Sequence, residues 1–263
     1  MRKKVFVKAS LLVCALCVAG LSAKATESEH VFSVGDEVYV QFAEANVEHP
    51  DPARGNLWQW EEVSGLESGE WRVLKSDEWS YLLADGRADA ENLNAIGQVE
   101  GQNGLIILPD GWKQTSDLPE FNPASVAVSY DINSYDAAEW ALLAASGAVF
   151  LPCNGMAYMD GGTYKIEDVA DHGAYWAADE VYEGSTKAYS VRFNDGAGDI
   201  HDRNEAFKTN FYSVRLVKEV EAPEPTGIAE VRDDEHAKKL IRNGQMVLVL
   251  DGESYSVGGQ KLQ

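Results

Sequence analysis

The chain has 263 residues, with 22 basic against 43 acidic side chains and a formal net charge of −21 at pH 7. Such a surface repels phosphate backbones and anionic headgroups, which argues against nucleic acid and membrane surfaces as partners. The length and the 45% apolar content suffice to bury a sizeable core in one or two domains.

Residues 1–25 read as a cleaved secretory signal. Arg2, Lys3 and Lys4 form its charged end, and Ala23-Lys24-Ala25 fits the small-x-small cleavage rule. The clean apolar run Ala9 to Leu21 is too short to span a bilayer, so no membrane span is expected in the mature chain. The expected address is the periplasm, the outer surface or the medium. The signal holds five basic residues and no acidic ones, so its removal takes the net charge from −21 to −26. Cys14 and Cys17 leave with it. Cys153 then has no partner for an intramolecular disulfide and reads as a buried small hydrophobe after Phe150-Leu151-Pro152.

The body is expected over residues 26–218. Alternation at Val34, Val38, Val40 and Phe42 predicts an N-terminal strand within 31–43, followed by a polar loop carrying Pro50 and Pro52. In the core, 71–218, Ser76 caps a helix beginning near Asp77, with Trp79, Leu82 and Leu83 facing inward. Gly104–Pro109 reads as a short apolar strand. A second helix starts at Ser134, turns Trp140, Leu143 and Ala144 inward and ends at Gly147, before a buried strand at Val149–Leu151. Strands at Tyr189–Phe193 and Tyr212–Val217 flank a polar loop, Asn194–Lys208. Short strands around two helices make an α+β domain. Acidic and proline residues mark 219–235 as a linker. In the tail, 236–263, the turn dipeptides Asn243-Gly244 and Asp251-Gly252 flank Met246–Leu250 and predict small β-hairpins.

Several aromatic-glycine blocks recur in order. They are Trp71-Arg72-Val73-Leu74 with Asp77-Glu78-Trp79, Asn103–Pro109 with Trp112, Glu139-Trp140, Gly147–Pro152, Tyr175-Trp176, Val191–Asp195 and Ser213–Val217. With Gly55-Asn56-Leu57, this set resembles secreted Bacteroidetes proteins related to the Fibrobacter succinogenes major paralogous domain. The resemblance implies a C-type-lectin-like fold, in which two helices pack on small antiparallel sheets. Two departures stand out: the segment from Trp58 to Glu70 is short, and Tyr175-Trp176-Ala177-Ala178-Asp179 lacks two hydroxyls found in the family. The tail, with Lys239–Gln245, Val247–Leu250 and Gly258-Gly259-Gln260, resembles a C-terminal module of exported Bacteroidetes proteins, which implies a sorting role.

The candidate chemistry is sparse. His30, His49, His172, His201 and His236 are scattered and adjoin no nucleophile motif, so no enzyme is expected. Asn194, Asp195, Asp199 and Asp202, with Glu205 near them, are candidate calcium ligands, since hard oxygens suit that ion and a strand-ending Asn-Asp pair serves it in C-type lectins. The EF-hand spacing is absent. Trp58, Trp60 and Tyr182 are candidate ligand-binding aromatics that could stack on sugar rings. The expected function is an exported, non-enzymatic adhesion or carbohydrate-binding module that takes a glycan or a surface protein. The alternative is a structural component of a surface layer or pilus-like organelle.

Overall fold

The computed structural model describes residues 30–194 and 200–222, together with strands at 237–242, 245–250, 253–256 and 261–262. The signal, Asp195, Asp199, most of the linker and both tail turn dipeptides lie outside the described residues. The architecture is mixed α+β, mostly sheet, with short helices.

The first sheet joins the two ends of the body. Strands β1 (Phe32–Gly35) and β2 (Val38–Phe42) form a hairpin, and β15 (Leu216–Val220) pairs with β2 on one side and β4 (Trp71–Val73) on the other. The stretch 31–43 is therefore two strands rather than one, because Glu37 takes a left-handed φ of 58° and turns the chain.

The second sheet has seven strands. Strands β9 (Met156–Asp160) and β10 (Thr163–Glu167) form one edge, and β11 (His172–Glu180), β12 (Lys187–Asn194) and β13 (Ile200–Phe207) form an antiparallel meander at the other. Between them lies β14 (Phe211–Ser213), to which β3 (Leu57–Gln59) also pairs. Among its described residues, the region 194–208 is thus largely strand, not loop. Its polar sequence concealed it because β13 is an edge strand with most of its side chains at least partly in solvent.

The third sheet runs β7 (Ser134–Tyr135), β5 (Asn94–Val99), β6 (Gln102–Ile107), β8 (Val149–Pro152). In the tail, β16 (Ala237–Arg242), β17 (Gln245–Leu250), β18 (Glu253–Ser256) and β19 (Lys261–Leu262) pair in order as an antiparallel meander.

Three short α-helices occur among the described residues: α1 (Trp60–Val63), α2 (Ser76–Ser80) and α3 (Ala137–Ala145). The first had no sequence forecast. Ser76 does not cap α2; its N–H and hydroxyl both donate to Asp179, while Glu78 accepts the Lys75 N–H at 2.7 Å. The helix continues as a π-helical turn, Tyr81–Asp85. Ser134 belongs to β7, and Asp136 caps α3 by accepting the N–H groups of Ala138 and Glu139.

Alternation along the strands sorts the core into layers. On β6, Leu105 and Ile107 face a central cluster with Trp79, Tyr175, Phe193 and Val217, while Ile106 faces the cluster of Leu143, Tyr135 and Phe121 beneath α3. On β11, Tyr175 joins the central cluster, and Trp176 points the other way to stack on Tyr212, with ring centroids 4.4 Å apart. The stretches Gly104–Ile107 of β6 and Gly173–Ala177 of β11 are buried on both faces, which is why they are free of charged and strongly polar side chains. Cys153 is buried beside the Tyr130 hydroxyl, 3.2 Å away.

Candidate functional site: an aromatic cleft over a buried arginine

A cleft of about 920 Å³ opens between the first sheet and the layer formed by α3 and β8. The short α3 helix brings Trp140 to its wall, where the indole meets Phe150 of β8 edge to face at 5.7 Å. Strand β4 contributes Trp71. All three aromatics are half-buried, so each shows part of a ring to the opening. The loop after β2 supplies Glu44, Asn46 and Glu48, and Asn56 lies nearby. Glu44 and Glu48 are exposed carboxylates on the rim.

At the inner side sits Arg215, just before β15. It is 4% exposed. Its Nε–H donates to Asn46 Oδ1 at 2.8 Å, Nη1 to the Ala43 carbonyl at 2.7 Å and Nη2 to the Phe150 carbonyl at 2.9 Å. Asn46 is fixed in turn by donating its Nδ2–H to the Tyr175 hydroxyl at 2.9 Å, and that hydroxyl donates to the Pro152 carbonyl at 2.9 Å. One buried cation thereby ties the 43–46 loop to β8. Burial pushes the Arg215 pKa below the ordinary arginine value, with Tyr175 opposing the shift. Burial likewise pushes the Tyr175 phenol well above its ordinary 10.0.

The aromatics favoured from sequence lie elsewhere. Trp58 is 8% exposed; its indole N–H donates to the Val47 carbonyl at 2.9 Å, and its ring packs on His49 at 4.4 Å. It is a core residue and offers no face for stacking. Trp60 is half-buried, donates to the Ala177 carbonyl at 3.0 Å, and carries the Lys208 ammonium 4.2 Å over its ring. Tyr182, at 69% exposure, stands alone on the turn between β11 and β12. No ring contact joins the three among the described residues.

Of the candidate calcium ligands, Asn194 lies 3.3 Å from His172, and Asp202 accepts the Ser80 hydroxyl. Asp195 and Asp199 lie outside the described residues. Among the described residues, no group of three or more His, Cys, Asp or Glu side chains is placed to hold a metal.

Sequence reasoning turned Trp140 inward and placed Trp71 and Arg215 only within the recurring aromatic-glycine blocks. One signal was present: Arg215 is a lone cation between Val214 and Leu216-Val217, inside an otherwise apolar stretch. No protein-family model matches the chain, and no curated protein or solved structure matches it.

Proposed function

We propose that this chain is an exported, non-enzymatic binding module that recognises a glycan at the cell surface, with the Trp71–Trp140–Phe150 cleft as the binding site. The observation that carries the reading is the composition of the cleft: partly exposed aromatic faces beside a rim of amides and carboxylates. Aromatic faces match the C–H surface of a pyranose, and the rim groups suit its hydroxyls. The N-terminal hairpin and the last body strand share one sheet, with helices packed on small sheets, which supports the C-type-lectin-like reading. The kinship with secreted Bacteroidetes domains belongs to the same proposal.

A glycan array followed by titration calorimetry tests this. Trp140→Ala should weaken the best hit by about tenfold or more, which corresponds to about 1.4 kcal/mol. Glu48→Gln on the exposed rim guards against a folding artefact, since it should change the affinity and leave the melting temperature unchanged. A protein that binds no glycan, or whose glycan affinity ignores both changes, would overturn the reading. Repeating the titration with calcium and with a chelator tests the acidic residues after β12. A glycan affinity that depends on calcium would place them in the site.

A second reading, assembly into a surface structure, draws on a different observation. Strand β10 is an open sheet edge, and Met159, Ile166 and Val169 on or beside its hairpin are exposed. Open edges with apolar side chains pair with other chains. Native mass spectrometry of surface fractions decides: a stable monomer found in no complex removes this reading.

A further inference from the structure

We propose that the cleft takes an acidic sugar, a hexuronate whose carboxylate is received by Arg215. This rests on the glycan reading of the cleft and specifies its ligand class. The argument starts from an imbalance of charge. Arg54 meets Glu62 at 2.8 Å, Arg72 meets Glu78 at 2.7 Å and Glu219 at 2.9 Å, and Arg87 meets Asp110 at 3.2 Å. Arg215 is buried as deeply as Arg87, yet its three protein acceptors are all neutral oxygens, and it forms no ion pair among the described residues.

A buried cation without a counter-ion is costly, and this chain has 43 acidic residues from which a partner could have come. The carboxylates of the same cleft, Glu44 and Glu48, are exposed and form no ion pair with it. A guanidinium carries five N–H groups. Arg215 donates one from Nε, one from Nη1 and one from Nη2, which leaves one on each Nη. Two N–H groups are what a bridging carboxylate requires.

The surroundings select a sugar acid over a bare carboxylate. Phe150 gives its backbone carbonyl to Arg215 and its ring to Trp140. The cation and the aromatic wall are therefore held by one residue, at a separation fixed by the backbone. A pyranose lying along that wall, with a carboxylate in place of its hydroxymethyl group, meets both. The negative charge of the whole chain does not help such a ligand approach. Beyond about 8 Å it is screened at physiological ionic strength, so recognition is local.

The test uses the full chain and three small probes: methyl glucuronide, its neutral methyl ester and acetate. Nuclear magnetic resonance follows the Arg215 Nε–H and Trp140 Nε1–H signals while affinities are measured. The glucuronide should move both signals and bind about tenfold tighter than the ester, the gain expected of a charge-assisted pair. Acetate should move Arg215 alone, and weakly. The ester comparison needs no variant, so a folding failure cannot obscure it. Arg215→Lys is the second arm: within that variant the glucuronide and the ester should bind with closely similar affinities.

Equal affinity for acid and ester, or a glucuronide that moves Trp140 but not Arg215, overturns the inference. If the array finds a neutral glycan that moves Trp140 while the glucuronide does not, the acid inference falls and the glycan reading stands. If no glycan moves Trp140, both fall.

Discussion

At the scale of single residues, the buried hydroxyls and thiol set a limit on alkaline stability. Burial raises the Cys153 thiol from 9.0 to about 12 and the Tyr164 phenol from 10.0 to about 12, and it raises Tyr175 and Tyr135 as well. Each group is neutral in the fold, and its folded pKa lies above its unfolded one. Its stabilising contribution is therefore complete below the unfolded value and declines as pH rises towards the folded value. The melting temperature should hold up to about pH 9 and fall steadily from there to pH 11, followed by circular dichroism. Cys153→Ala should soften the first part of that fall. A flat profile to pH 11 would contradict the burial of these groups. Residue identity alone did not sort the seven tryptophans. Trp79 and Trp176 are wholly buried, whereas Trp71 and Trp140 are only partly so and reach the cleft. An indole satisfies a core and a cleft wall equally well, and only the neighbouring elements decide between them.

At the scale of elements, close packing of strands depends on where a side chain is missing. A Cβ placed on Gly173 of β11 would lie 2.0 Å from the Phe193 ring of β12, its partner in register. Gly173→Ala should therefore destabilise the fold by about 1–3 kcal/mol, read from the denaturant midpoint. Gly65, in the turn after α1, has open space where a methyl group would stand, with no atom within 4 Å, and Gly65→Ala should be neutral or add about 0.4–1 kcal/mol. The strands that the sequence made legible, β6 and β8, are apolar because they are covered on both faces or close to it. The strand it concealed, β13, is polar because it is an edge. The helix ends were legible to within two or three residues. Ser76 and Ser134 had the right chemistry for caps, but Asp179 claimed the first and β7 the second. Arg215 could be seen as a charge in an apolar run, but the neutrality of its three acceptors is a property of the tertiary structure.

At the scale of the whole molecule, the body closes on itself before the tail begins. Strand β15 completes the first sheet, and the tail strands pair only with one another among the described residues. A chain ending at residue 222 should keep the cooperative unfolding transition of the body, within about 2 °C in a calorimetric scan. Loss of that transition would show that the body needs the tail to fold. Secretion of the shortened chain separately tests the sorting role suggested by the tail sequence. Strand β15 lies between β2 and β4 and is antiparallel to both. A pull applied along it from residue 222 would load two ladders of backbone hydrogen bonds in shear at once. Arg215 stands at its inner end, so tension on a tethered molecule would travel along one strand to the floor of the cleft. The same strand that anchors the cleft mechanically would then be the one that reports strain to it.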